Sequence, residues 1–399
     1  MSAHAQELVA RELLAQELLA QAELPVAGLY RRHAEHNLAA ISAAIAGSYR
    51  DSGPVKLGPS RSLVVIAVDG LGYAHAASAL ESAVLSPLTS EFPTTTVACL
   101  MTSVTGEPAH AHGFIGVQYL HADGRRLINC HDGQITDPAG QESLGTEPAR
   151  PTRTPSLATV FDVLGAAGVP VVALPNELAM LDAPVLGRLL QGAQIAGQAR
   201  PAGADLLGRA RAFADQVTIA AAARPGTVIW AYLDLDSYIH RHGFDPQAQA
   251  AAATLDQLAR RLRDSGTSVL VFSDHGLAPN APSADTLSAW HAVTSERWCR
   301  LPPGGAGRIR WIYPHPRHAD RLRDRLAGEF AQALVVGPDQ LAELGLVAAG
   351  SIGQRRLGEI ILIAIGADFP APDASAAYEH GSMTADEVLV PMAIWSAGQ

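Results

Sequence analysis

The spacing of hydrophobic positions changes several times along this chain, and each change marks an element. Residues 5–24 (AQELVARELLAQELLAQAEL) place leucines at helical spacing with acidic residues between them. That pattern predicts an amphipathic helix that packs on the body or on a second subunit rather than on a membrane. A second helical stretch covers about 32–47, and Asp51-Ser52-Gly53-Pro54 marks a loop. From residue 60 onward, short apolar runs alternate with helical periodicity. The runs at 62–68, 169–174 (VPVVAL), 227–233 (TVIWAYL) and 268–272 (SVLVF) are almost free of polar positions, as strands buried on both faces are. Helical spacing occupies 74–82, 156–168, 203–224 and 246–265.

This alternation predicts an α/β fold, a layered α/β/α body around a mostly parallel central sheet. Residues 278–370 break the rhythm. Prolines and the run Pro302-Pro303-Gly304-Gly305 punctuate them, leaving one strand at 309–313 and a helix near 319–334. The expected organisation is therefore an N-terminal helical extension at 1–59, a core at 60–277 and 378–399, and an inserted cap subdomain at 278–377. Segment 131–155 reads as the most loop-like part of the chain.

Composition changes this picture little. With 399 residues, 48% hydrophobic and 17% charged, the chain is an ordinary globular sequence. A formal net charge of -10 argues against a nucleic-acid-binding surface, which is usually basic. It leaves a phosphate substrate open, because bound divalent cations reverse a local field. Cys99, Cys130 and Cys299 form neither a metal spacing nor a disulfide framework, which fits a reducing compartment. No secretory leader is evident, and no apolar run reaches the roughly 18 residues that span a bilayer. The expectation is a cytoplasmic protein.

Chemistry concentrates where the strands end. Three apolar runs lead into carboxylates, Asp69, Asp236 and Asp274, at the edge where α/β sheets bind ligands. Asp236 and His240 stand four residues apart, as on one face of a helix turn, Asp274 adjoins His275, and His380-Gly381 follows near the C-terminus. Mixed Asp and His donors are the ligand chemistry of Zn²⁺, with Mn²⁺ the alternative. Between the first two strands lies Glu91-Phe92-Pro93-Thr94-Thr95-Thr96, followed by a short helix and a stop at Gly106. A helix N-terminus offers free N–H groups to an anion, and a metal activates an otherwise poor threonine nucleophile.

Taken with their spacings, these motifs resemble the alkaline phosphatase superfamily, most closely its nucleotide pyrophosphatase/phosphodiesterase branch. The matching residues are Asp69-Gly70, Pro93-Thr94-Thr95-Thr96, Thr105-Gly106, His112-Gly113, Asp236-x-x-x-His240, Ser273-Asp274-His275-Gly276 and His380-Gly381. The resemblance selects Thr96 as the nucleophile, with Thr95 the fallback. It implies one divalent metal held by Asp69, Thr96, Asp274 and His275, and another held by Asp236, His240 and His380. It implies a phosphodiesterase or nucleotide pyrophosphatase acting on a small phosphoester or nucleotide-like substrate.

Two departures bear on the substrate. Ile239 replaces a glycine of the pattern, and no Asn follows His112-Gly113, where the branch contacts a phosphoryl oxygen. Gln118, Tyr119 and Asn129 are the available substitutes. A phosphomonoesterase is the nearest alternative, disfavoured because no arginine stands out to meet a dianion. A metal-binding protein without catalysis is the other. Asp234 competes with Asp236 as a ligand, and His110, His112, His121, His131, His242, His291, His315 and His318 have surface or structural explanations. Arg31-Arg32, Arg260-Arg261 and Arg355-Arg356 read as solvated faces. The N-terminal helices offer a route to a homodimer.

Overall fold

Strand Leu63–Asp69 buries all seven of its residues, and that fact sets the architecture around it. Leu63, Val65 and Ala67 join one hydrophobic cluster, while Val64, Ile66 and Val68 join another. Both faces must therefore be covered, because successive strand side chains point to opposite sides. Helices Ala39–Tyr49, Thr96–Thr105 and Val160–Ala166 cover the first face, and Tyr73–Ala79, Leu206–Ala223 and Pro246–Asp264 cover the second. Burying each Val, Leu or Ile contributes about 1.5–3 kcal/mol, so the unbroken apolar runs are the main source of stability. The computed structural model describes residues 3–26, 28–136, 142–144, 157–181, 183–196 and 205–398.

The central sheet has seven strands in the order Val84–Thr89, Leu389–Trp395, Ser268–Ser273, Leu63–Asp69, Val228–Asp234, Val171–Leu174 and Gln194–Ile195. The last five run parallel to one another, and Leu389–Trp395 lies antiparallel to both of its neighbours. The layered, mostly parallel α/β fold read from the alternation is the fold observed. Edge strand Val84–Thr89 has no counterpart in the sequence reading. It carries Pro87, which an edge position tolerates because one side needs no N–H donor.

Local hydrogen bonds explain where the boundaries moved. The stretch expected to be helical from residue 32 becomes a helix only at Ala39–Tyr49. Before it, His33 Nδ1 accepts the N–H groups of Glu35 and His36, and Asn37 Nδ2 donates to the His33 and Ala34 carbonyls. Those side chains satisfy the backbone in a turn instead. Helix Val160–Ala166 starts at a capping box between Thr159 and Asp162. Pro246–Asp264 starts on the Asp245 carboxylate, with proline at its first turn. The start of the helix expected at 156 lies outside the described residues.

A second, antiparallel sheet of eight strands joins two distant stretches of chain. Gln118–Leu120, Leu127–Asn129, Gln134–Thr136 and Glu142–Leu144 form one half. Gly304–Ala306, Ile309–Ile312, Ala333–Val336 and Ile360–Ala364 form the other. The segment read as loop at 131–155 thus contains two strands, each too short to show a period; residues 137–141 and 145–155 lie outside the described residues. The helix expected to 334 ends at Glu329, and Ala333–Val336 is a strand.

Trp311, fully buried, ties this sheet to the threonine loop. Its indole N–H donates to Ile115 O at 3.3 Å, and its ring packs 6.3 Å from that of Phe92, which precedes Pro93 through a cis peptide bond. Arg356 is a second tie, and here the solvated-face reading is corrected. Arg356 is buried, donates to Gly113 O and lies over the Tyr119 ring at 5.0 Å. Arg32 pairs with buried Glu91 at 3.4 Å, whereas Arg260 and Arg261 are exposed as expected. Trp311→Ala is expected to cost about 3–5 kcal/mol in urea unfolding. A loss below about 1 kcal/mol would mean that the second sheet docks by other contacts.

Candidate active site

Strand register assembles the site. Val68 pairs with Ser273 and Asp69 with Asp234, so the carboxyl ends of the three central strands lie side by side. Gly70 lets them close up. Its φ is +79°, and a Cβ there would stand 3.0 Å from Asp236 Cα. The strand ends deliver Asp69, Asp236 and Asp274 to one place.

The three threonines separate into three roles. Thr94 Oγ1 donates to Ser382 O at 2.7 Å and accepts from Gly381 N–H at 2.9 Å, and the Thr94 carbonyl faces His380 Nδ1. Thr94 is the link to the C-terminal motif. Thr95 is the N-cap by backbone geometry, and its buried hydroxyl has no hydrogen-bond partner. Thr96 is the first helical residue. Its Oγ1 lies 3.4 Å from Asp69 Oδ2 and 3.3 Å from His275 Nε2. The helix closes at Gly106 in the left-handed conformation, the expected stop.

Two trios of donors result. Asp69, Asp274 and His275 form one, and Asp236, His240 and His380 the other, with the donor atoms of each trio within 4.8 Å of one another. The His380 ring stacks on that of His275 at 3.9 Å, which sets the trios side by side. Each imidazole turns Nδ1 to a backbone carbonyl: His240 to Tyr378, His275 to Gly276 and His380 to Thr94. A carbonyl only accepts, so Nδ1 donates in each ring and Nε2 is the nitrogen turned toward the carboxylates, the orientation of metal-binding histidines. Asp69 Oδ1, Asp236 Oδ1 and Asp274 Oδ2 are buried without hydrogen-bond partners. These orphaned carboxylate oxygens beside imidazole Nε2 atoms fit divalent cations.

Electrostatics point the same way. Burial and the Asp274 charge drive Asp69 well above the carboxylate range, and burial pushes Asp274 up to about 6. Burial also lowers His380 far below its usual value, with His275 adding to the effect. Burial alone would lower His240, but its 3.0 Å bond to Asp236 carries it up to about 9. That same bond lowers Asp236 against its own burial.

Other predicted residues fall outside the trios. Asp234 is turned to Arg209 at 3.8 Å and accepts the Ser237 N–H at 2.8 Å, so its carboxylate is already engaged. His112 is buried, accepts Phe114 N–H at Nδ1 and is held neutral by burial at a pKa of about 3. His242 is exposed against Tyr238.

A cavity of about 430 Å³ opens beside the site, lined by Thr96, Asp236, His240 and His380. Gln118 and Asn129 also line it, whereas Tyr119 lies buried beneath Arg356. Three further residues escaped the sequence reading. Tyr232 donates a short hydrogen bond to Asp69 Oδ2. His131, given a surface or structural explanation in the sequence, lines the cavity, and so does Arg310, the arginine that sequence did not single out. Tyr232 sits on a strand whose alternation exposes it to the Thr96 side, a signal masked by its apolar neighbours.

Carboxylates and imidazoles at parallel strand ends, beside a threonine at a helix start, define a hydrolase acting on phosphoester bonds in the alkaline phosphatase superfamily. The chain belongs to the type I phosphodiesterase / nucleotide pyrophosphatase family, which matches it over residues 63–344. Mouse ectonucleotide pyrophosphatase / phosphodiesterase 5 is similar in structure, with a TM-score of 0.57 at 16% identity over 83% of this chain and 87% of that one. Phosphonoacetate hydrolase from Sinorhizobium meliloti 1021, solved with phosphonoacetate, has a TM-score of 0.57 at 16% identity over 85% of this chain and 92% of that one. No curated protein matches the chain.

The raised Asp69 and Asp274 values fix a sign. A carboxylic acid that is weaker in the folded state than in the unfolded one contributes stability below about pH 4; for Asp274 it is lost as pH rises through about 6, and Asp69 shifts in the same direction. In chelator, the melting temperature is therefore expected to fall between pH 5 and 7.5. A divalent cation competes with those protons, so Zn²⁺ should raise the melting temperature by several degrees at pH 7.5 and by less at pH 5. Equal stabilisation at both pH values, or none, would contradict the assignment of the trios.

Proposed function

We propose that the chain is a phosphodiesterase or nucleotide pyrophosphatase that uses Thr96 as its nucleophile and two divalent cations, Zn²⁺ favoured over Mn²⁺. Asp69, Thr96, Asp274 and His275 would hold one cation, and Asp236, His240 and His380 the other. Bound there, the cations would favour the ionised Thr96 hydroxyl and offset negative charge on the phosphoryl and leaving oxygens. The observation that carries this reading is the place of Thr96 Oγ1, between Asp69 and His275 on the cavity wall.

The chain's own groups have distinct tasks. Thr96 Oγ1 forms a bond to phosphorus as the ester oxygen departs, and water later breaks that bond to restore the hydroxyl. The first-turn N–H groups of helix Thr96–Thr105 face the charge that builds on the phosphoryl oxygens. Tyr232 holds Asp69 through one oxygen, leaving the other free. The three backbone carbonyls fix the imidazoles so that no reorientation is required. Mouse phosphodiesterase 5 is also known in a form with threonine replaced by alanine, described as inactive and in complex with AMP. That description supports a threonine nucleophile here.

Arg310 on the cavity wall favours one second reading, a phosphomonoesterase, for which a dianion needs added positive charge. The ratio of rates on aryl monoesters and diesters decides between the two. Cys99, Cys130 and Cys299 are buried thiols rather than disulfides, which supports the cytoplasmic reading. No helix among the described residues is long and apolar enough to cross a membrane. Exposed Val9, Leu13 and Leu14 on helix Ala3–Ala22 support the homodimer, which sedimentation would test.

Thr96→Ala is expected to lower turnover of an aryl phosphodiester by more than about 10³-fold while leaving the melting temperature near that of the parent. If Thr96→Ala kept near-parental rates and Thr95→Ala did not, the nucleophile would be Thr95.

A further inference from the structure

The second sheet presents a row of residues to the cavity that the hydrolytic chemistry does not use. Arg310 pairs directly with Gly305, Gly305 with Gln118, and Gln118 with Asn129. Directly paired residues share one face of a sheet, and all four of these line the cavity that Thr96 lines. Gly305 leaves a gap in the row. Its φ is +100°, and an added Cβ would stand 2.3 Å from Ile309 O, so the position takes no side chain. The gap spans two strand spacings, roughly 10 Å between backbones, with Arg310 on one side and the two amides on the other.

Arg310 is only 6% exposed, yet its charge is poorly compensated. Among the described residues its guanidinium makes one hydrogen bond, from Nη2 to Pro303 O at 3.4 Å, and Nε has no partner. No carboxylate among them lies within ion-pairing distance; Glu379, also on the cavity wall, acts from farther away. The guanidinium carbon lies over the Trp290 ring at 5.3 Å, a cation–π contact that steadies the group without supplying an ionic partner. A buried cation without an ionic partner is costly, and an oxyanion entering the cavity would relieve it. Across the gap, Asn129 Oδ1 accepts the His131 N–H at 2.8 Å, which leaves the amide N–H groups of Asn129 as donors.

We propose that Arg310, with the side-chain amides of Asn129 and Gln118, forms a subsite for a second anionic group on the substrate, a carboxylate or phosphoryl carried on the arm beyond the reacting phosphorus. The inference rests on the hydrolase reading above and names the substrate class for it: phosphodiesters or phosphoanhydrides with a charged arm. Arg310 is then a specificity residue, because its fork reads the arm rather than the bond that breaks.

Three p-nitrophenyl esters test this with the metal-loaded full chain: p-nitrophenyl methyl phosphate, p-nitrophenyl carboxymethyl phosphate and p-nitrophenyl phosphonomethyl phosphate. The parent protein should prefer a charged arm over the methyl arm by about tenfold or more in kcat/KM, mostly through KM. Whichever charged arm gives the larger ratio identifies carboxylate or phosphoryl as the group read. In Arg310→Met, which keeps an unbranched apolar stem and removes the charge, that ratio should fall about tenfold or more. Arg310→Lys should recover part of it, as a point charge without the fork does. A parental ratio near one, or a ratio unmoved by Arg310→Met, overturns the subsite; the first needs no variant to fold. Failure to hydrolyse any of the three esters would overturn the hydrolase reading, and this inference with it.

Discussion

Asp69, Asp236 and Asp274 crowd the carboxyl edge of one buried sheet, each with an oxygen that meets no donor. Three carboxylates so placed repel one another, and burial makes the repulsion expensive. Asp69 and Asp274 answer in the cation-free state by holding their protons to higher pH. The strand register that brings them together is fixed by apolar packing on both faces, so the sheet's own stability sustains the electrostatic strain. Divalent cations are the natural counter-charge, and the histidine Nε2 atoms around the carboxylates are oriented for them.

Helix Thr96–Thr105 depends on the same edge. Thr96 lies against Asp69 and His275 because its helix packs on the face of the sheet that Val65 and Ala67 cover from within. Thr94 then locks the loop to the C-terminal His380 motif through two hydrogen bonds of its hydroxyl. Residues nearly 290 positions apart thus share one rigid junction. The family assignment over residues 63–344 and the two structural likenesses fit a body organised in this way.

Much of this was legible in the sequence, for identifiable reasons. Strands buried on both faces leave unbroken apolar runs, so Leu63–Asp69, Val228–Asp234 and Ser268–Ser273 could be read with the carboxylates that follow them. The motif spacings then singled out Thr96 among three adjacent threonines, and the three have different surroundings in the structure. The second sheet was hidden because most of its strands have only three or four residues and its halves lie far apart in the chain. Tyr232 and Arg310 were hidden for a related reason. Each acts across strands, and cross-strand neighbours leave no local spacing to read. His33 and Asn37 moved a helix boundary by side-chain hydrogen bonds that helical periodicity does not register.

The central claim is that the strand ends and their histidines hold two divalent cations around Thr96. Metal titration of the chelator-treated chain, read by calorimetry and by elemental analysis of the dialysed product, addresses it most directly. Two equivalents are expected for the parent chain, and one each for His240→Ala and His275→Ala, which remove a ligand from different trios. A parent chain that retains one equivalent or none, or two variants that lose nothing, would contradict it.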